Sequence, residues 1–145
     1  MFKVLRDREY MLNLFGENIS MFPIAEGEKI ETGDFVVVNT RTLQASIAKK
    51  QGGYYSIGRA LKVVQDEDGN RQVICHDGIF SFHNAELVEH SIMYSNVGRI
   101  CYFDGASSVT LDNINTTKAG EVLSVDEAGN VLVKISISEG SELEW

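Results

Sequence analysis

Three histidines and two cysteines are the residues of this 145-residue chain with the most chemical potential. His83 and His90 are seven residues apart, which would place them on one side of a helix, and His76 precedes them. A small hydrolase or metal enzyme would require the three imidazoles to converge, because a zinc site needs three or four ligands. The sequence contains no Cys-x-x-Cys, His-x-x-x-His or His-Glu-x-x-His pattern. We therefore predict no metal site and no cofactor.

The two cysteines, Cys75 and Cys101, each lie in an apolar run typical of a strand. Cys75 is followed by His76, but neighbours on a strand point to opposite faces, so the pair does not form a catalytic dyad. A buried free cysteine behaves as a small hydrophobic residue. We predict two core thiols without a disulfide, no catalytic residues, and a protein that is not an enzyme.

The pattern Asp-Glu-x-Gly-Asn occurs twice, at Asp66 to Asn70 and at Asp126 to Asn130. Its composition matches the front of a calcium loop, but an EF-hand also needs a glutamate at the twelfth loop position between two helices. Here the flanking residues alternate as strands do, and the glycine can adopt the positive φ of a tight turn. The pattern therefore predicts the turns of two β-hairpins.

Strand signals recur every 8–12 residues along most of the chain, with little helical periodicity. Gly33 to Asn39 parallels Gly98 to Asp104, and each is followed by a short strand and one of the two hairpins. The repeat runs over about residues 33–76 and 98–136. We predict an all-β fold, a small β-barrel or sandwich-like domain built from two similar strand–strand–hairpin units.

The sequence divides into an N-terminal arm or short helix (1–22), a β-domain (23–138) and an acidic tail (139–145). The formal net charge of −8 opposes binding to nucleic acid. No apolar run approaches the roughly 20 residues of a membrane span, and the N-terminus does not read as a signal peptide. We expect a protein that is made in the cytoplasm and binds neither nucleic acid nor membrane.

Several strand-and-turn motifs resemble those of bacteriophage and prophage capsid cement (head decoration) proteins. The motifs are Val73-Ile-Cys-His-Asp-Gly-Ile-Phe-Ser-Phe82, Val97-Gly-Arg-Ile-Cys-Tyr-Phe-Asp104, Val109-Thr-Leu111, Ala119-Gly-Glu-Val-Leu123 and Val131-Leu-Val-Lys-Ile135. Gly33 to Val36 and Ile57 to Ala60 fit the same pattern, so the resemblance covers about residues 30–137. It implies a β-rich fold and homotrimers on the outside of a capsid lattice, and it supplies no catalytic residues.

The leading hypothesis is a non-enzymatic phage structural protein that binds the major capsid protein and stabilises the capsid exterior. Its location would be the virion surface. Phe2, Leu5 and Phe15 of the N-terminal arm are the predicted capsid contacts. The alternative is a tail or baseplate β-module that binds protein or carbohydrate, with the tyrosines at 54, 55 and 94 as its contacts.

Overall fold

The computed structural model describes residues 18–136, and these form ten β-strands and two single 3₁₀ turns. The strands are β1 (Ile19–Pro23), β2 (Phe35–Asn39), β3 (Ala45–Ile47), β4 (Tyr54–Gln65), β5 (Arg71–His76), β6 (Gly78–Asn84), β7 (Ile100–Phe103), β8 (Ser108–Thr110), β9 (Lys118–Val125) and β10 (Val131–Ile135). The 3₁₀ turns, Val88–His90 and Tyr94–Asn96, both lie between β6 and β7.

The ten strands form two five-stranded units. β1 to β5 form a sheet of order β1-β5-β4-β2-β3, which we call the first unit. β6 to β10 form the second unit, a closed barrel of order β10-β6-β8-β7-β9. A short parallel pairing of β6 with β8 closes this barrel at Asn84 and Val109. An isolated parallel bridge, Ile24 to Ala45, stands at the same place in the first unit.

The two units repeat each other strand for strand. In each, the first strand pairs antiparallel with the fifth, and the second pairs with the third and the fourth. Both fourth strands carry a bulge where they pair with the second strand, beside Gly58 in one unit and Gly120 in the other. The predicted fold class, a small barrel-containing β-fold of two similar strand–strand–hairpin units, is confirmed.

The hairpin turns owe their shape to the repeated Asp-x-x-Gly-Asn pattern. Gly69 and Gly129 have φ values of +84° and +88°, which glycine adopts without a side-chain clash. In both turns the aspartate carboxylate accepts hydrogen bonds from the asparagine that immediately precedes the next strand, through its main-chain N–H and its side-chain amide. The same five-residue pattern therefore closes both hairpins.

Two strand boundaries differ from the sequence expectation. β1 begins at Ile19, inside the stretch assigned to the arm, because residues 19–23 pair along their whole length with β5. β4 begins at Tyr54 and runs through Gly58, although the glycines at 52 and 53 predicted a break up to Ser56. Residues 1–17 of the predicted helix or arm (1–22) and all of the predicted acidic tail (139–145) lie outside the described range.

Strand β2 connects the two hydrophobic cores because it is buried on both faces. Val36 and Val38 pack in the core of the first unit. Phe35 and Val37 point the other way and join the core of the second unit. The Phe35 ring lies 4.2 Å from that of Phe82, measured between centroids. The two units therefore share packed apolar surface.

Both ends of the described chain meet at the boundary between the units. The Asn18 N–H donates to Asp77 Oδ1 (3.0 Å), and the Asp77 N–H donates to the Asn18 carbonyl oxygen (3.1 Å). At the other end of the chain, Ile135 of β10 pairs with Gly78, the residue after Asp77. The buried Asp77 carboxylate thus anchors the point where residues 1–17 join the fold.

Candidate interaction surface

The structure does not bring the three histidines together. His76 packs edge-on against the Phe80 ring, with centroids 5.4 Å apart, and its Nδ1 lies 3.0 Å from the Asp77 carbonyl oxygen. His83 projects outward from β6, and His90 ends the first 3₁₀ turn. Within residues 18–136, no group of three or more His, Cys, Asp or Glu side chains could hold a metal ion.

The two cysteines are fully buried in different units. Burial raises the pKa of the Cys75 thiol to about 12, because the charged thiolate loses its hydration. Burial also raises the pKa of Cys101 to about 12. Since the thiolate is the nucleophile, neither side chain is reactive at neutral pH. Both are free thiols in the structure.

The carboxylates of the two hairpin turns are engaged by their own backbone. Asp126 Oδ1 accepts from the Asn130 N–H at 2.9 Å, and Oδ2 accepts from the Asn130 side-chain amide at 3.2 Å. The hydrogen bond from the Asn130 backbone is the largest cause that lowers the pKa of Asp126. Asp66 makes the same contacts with Asn70. These residues shape turns, as the sequence predicted.

A shallow polar groove of about 490 Å³ lies beside the parallel strands that close the second barrel. His83 and Glu86 line one side of it, and Asp104 lines another. The Asp104 carboxylate is held by Lys50 of the first unit, 3.4 Å away, and Lys50 also lies 3.7 Å from Asp112. The acidic side of the groove is therefore part of an ion-pair cluster that connects the two units.

The β6–β7 loop, residues 85–99, displays the densest exposed apolar surface in the described part of the chain. Val88 is 88% exposed and Tyr94 is 77% exposed, which is unusual for side chains of this size. The full set of large apolar side chains that this loop exposes is Leu87, Val88, Met93, Tyr94 and Val97. Clustered exposed apolar side chains mark binding surfaces more often than isolated ones do.

This loop is held in place by hydrogen bonds and by one buried anchor. Asn84 Oδ1 accepts from the N–H groups of Ala85 and Ile92, both at 2.8 Å, and Asn84 Nδ2 donates to the Ile92 carbonyl oxygen at 2.7 Å. The Ile92 side chain is buried in the barrel core. The His90 carbonyl oxygen accepts from the Leu111 N–H. These hydrogen bonds and the buried Ile92 fix the loop that carries the exposed apolar side chains.

The equivalent connection in the first unit serves as an internal control. It joins β1 to β2 and buries Ile24 and Ile30 in its own core. Its exposed positions are polar, with Glu26, Lys29 and Glu31 in the places facing solvent. The repeat therefore folds without exposed apolar residues in this connection. The apolar side chains of the β6–β7 loop are not required by the fold, which points to a binding role.

The residues predicted to contact a partner lie in different parts of the chain and are not all described by the structure. Phe2, Leu5 and Phe15 lie outside the described residues. Tyr54 packs against the core of the second unit and Tyr55 against that of the first, so these neighbours do not share a face. Burial raises the pKa of Tyr55 to about 12. Only Tyr94 is on the exposed loop, so the structure does not bring the three tyrosines together.

Sequence reasoning missed the β6–β7 loop because Leu87, Val88, Met93 and Tyr94 stand in a polar stretch without strand or helix periodicity. The lack of periodicity could have indicated exposure of these side chains, because apolar residues outside any periodic pattern are not assigned to the core face of a strand or helix.

No helix within residues 18–136 is long and apolar enough to cross a membrane. No protein family, no curated protein and no solved structure matched the chain.

Proposed function

We propose that this protein is a non-enzymatic phage structural protein that binds the major capsid protein and stabilises the capsid exterior. The observation that supports a binding role is the rigid β6–β7 loop, which holds Val88 and Tyr94 in solvent. The resemblance of the strand-and-turn motifs to capsid cement proteins supplies the identity of the partner. The proposed location is the virion surface, and the proposed oligomer is a trimer.

A small preorganised apolar surface suits attachment to a lattice. Ordering a loop on binding costs about 0.5–1.5 kcal/mol per immobilised side chain, and a loop that is already fixed avoids much of that cost. Modest affinity per site is sufficient, because linked copies on a repeating shell bind with increased avidity. The fixed loop therefore fits a protein that clamps neighbouring capsid subunits.

The N-terminal arm is the second proposed contact. Asn18, the residue that follows the proposed contact segment, is fixed to the buried Asp77. Seventeen extended residues reach at most about 60 Å. Phe2, Leu5 and Phe15 could thereby contact a capsid subunit beyond the one beneath the barrels. In this proposal the loop and the arm bind the shell together.

The decisive experiment is co-sedimentation with empty shells of the phage or prophage that encodes the chain. We expect the full-length protein to pellet with the shells. The double variant Val88→Ser/Tyr94→Ser should lose most of this binding, whereas Ile114→Ser, which alters an equally exposed apolar residue elsewhere, should retain it. Absence of binding by the full-length protein would refute the proposal.

Localisation in virions distinguishes the alternative role. Labelled protein on heads supports capsid decoration, and label confined to tails supports a tail or baseplate module. Deletion of residues 1–17 tests the arm separately, because the β6–β7 loop stays intact in that variant. Loss of shell binding on this deletion supports Phe2, Leu5 and Phe15 as contacts.

A further inference from the structure

The two units carry the same row of four side chains across the outside of their sheets. Each row runs through the first, fifth, fourth and second strand of its unit, one residue per strand. The row of the first unit is Ile19, His76, Arg59 and Phe35. The row of the second unit is Ile79, Lys134, Glu121 and Ile100. The strand registers make these rows equivalent, so they can be compared position by position.

Two residues of the first unit's row, Phe35 and His76, contact the second unit. The Phe35 ring lies 5.5 Å from Phe80 and 4.2 Å from Phe82, between centroids, and His76 packs against Phe80. Phe35 is 9% exposed as a result of this packing. Arg59 covers the outer side of the Phe35 ring at 6.0 Å. This face of the repeat is therefore a face through which one unit contacts another.

The same row of the second unit is open. Ile79 is 57% exposed and Ile100 is 37% exposed, at the positions where the first unit has buried Ile19 and Phe35. The surface that the row contacts also differs in burial between the two units. Phe82, which contacts Phe35, is fully buried, whereas the equivalent Phe22 of β1 is only partly buried. The chain thus contains one joint, the contact of the first unit's row with the second unit. The two surfaces that would form an equivalent second joint, the row of the second unit and the partly buried Phe22, are not in contact with each other.

We propose that a second copy of this chain fills this gap, with its first unit docking on the open row of the second unit. Ile100 of one copy would approach Phe22 of the next, as Phe35 approaches Phe82 within the chain. Lys134 and Glu121 would lie at the centre of the joint, in the places of His76 and Arg59. The joint is heterologous, so it closes into a ring if the rotation permits and otherwise propagates.

The contact already formed inside the chain indicates which molecule would cover the open row. A second copy is the partner that carries the complementary half, because every copy presents an open row and a partly exposed Phe22. The inference rests on the homo-oligomer of the proposed function, names the surfaces that would form it, and does not depend on a shell. Its test uses only the purified chain, so its failure and a failure of shell binding are separate results.

The first test is the solution mass of the full-length protein over a range of concentrations. We expect a multiple of the single-chain mass. Ile100→Glu should weaken association by at least tenfold, because it places a charge in an apolar contact. Ile114→Glu, at another exposed isoleucine outside both halves of the joint, should leave the mass unchanged. A single-chain mass at every concentration would overturn the proposal. Covering of the row by residues 1–17 of the same chain would give that result.

A mixing experiment tests the head-to-tail arrangement. Ile100→Glu removes one half of the joint and Phe22→Ser removes the other, and each variant alone should be monomeric. Mixed together, they should form pairs that stop at two chains, through the intact row of one and the intact β1 of the other. Failure of folded variants to combine would overturn the proposal. If Phe22→Ser does not fold, Ile79→Glu replaces it as a second test of the row, and unchanged association in that variant would overturn the proposal as well.

Discussion

Gly58 and Gly120 occupy equivalent bulges, and replacing either by alanine should destabilise the fold through its backbone. A Cβ at Gly58 would lie 2.0 Å from the His76 carbonyl oxygen, and one at Gly120 would lie 2.2 Å from that of Lys134. Both distances fall more than an ångström short of the ordinary 3.4 Å contact. The obstructing atoms belong to the paired strand, so a rotamer change cannot relieve the clash.

The loss of stability has two separate causes, the steric clash of the added Cβ and the left-handed φ. Overpacking in a tight site costs about 1–3 kcal/mol, and each disturbed ladder hydrogen bond adds about 1 kcal/mol. A left-handed φ costs a residue with a side chain about 1–2 kcal/mol. Gly58 has a φ of +111° and carries both terms, whereas Gly120 carries only the clash. We expect losses of about 4 kcal/mol for Gly58→Ala and about 3 kcal/mol for Gly120→Ala.

Gly53→Ala is the matched control because Gly53 has a φ of +90° and nothing within 4 Å of an added Cβ. It should lose only about 1 kcal/mol. Urea unfolding followed by far-UV circular dichroism measures the three variants against the parent chain. With a slope of about 2 kcal/mol/M, a 3 kcal/mol loss lowers the midpoint by about 1.5 M. If Gly120→Ala proved as mild as Gly53→Ala, the close backbone approach would not be a constraint and the reasoning would be wrong.

Three further predictions concern a turn, the thiols and the contact between the units. Asp126→Asn should lower the urea midpoint at pH 7, and the difference from the parent should vanish toward pH 2. The pKa of Asp126 is lowered in the fold, chiefly by the Asn130 N–H, so its contribution is complete above the unfolded pKa of about 3.9 and is lost as pH falls through the folded value. A gap that persisted at pH 2 would contradict this. Cys75 and Cys101 should not react with a disulfide reagent at pH 8 in the folded protein and should both react in urea, and labelling of the native protein would show that the burial is wrong. Phe35→Ala should cost about 3–5 kcal/mol in urea unfolding by emptying the contact with Phe82, and a loss below 1 kcal/mol would show that the units are not coupled there.

The fold class could be predicted because its strongest signals are local. The apolar run of β2, with Val36 to Val38 all buried, needs no tertiary information to be recognised as a strand. The Asp-x-x-Gly-Asn turns fix their own shape through the aspartate carboxylate and a positive-φ glycine. Their recurrence also made the two-unit architecture visible in the sequence.

Structural features that depend on residues far away in the chain could not be predicted from the local sequence. Gly58 reads as a strand breaker, yet it lies inside β4 because the His76 carbonyl needs the space that a side chain would fill. β1 is a strand only because β5, more than fifty residues later, pairs with it. The exposure of Val88 and Ile79 was equally hidden, since apolar residues in a sequence are first assigned to a core.

The described part of the chain begins and ends beside Asp77 and Gly78, so residues 18–136 follow a nearly closed path. Asn18 is bonded to Asp77, and Ile135 lies opposite Gly78, so residues 18 and 135 are separated by at most two ladder spacings of roughly 5 Å each and one Cα–Cα step of about 3.8 Å. A short linker between them, with a new opening at the unit boundary, would give a circular permutant in which the second unit precedes the first. Every strand pairing would be retained. The order of the units along the gene is thus not required by their packing.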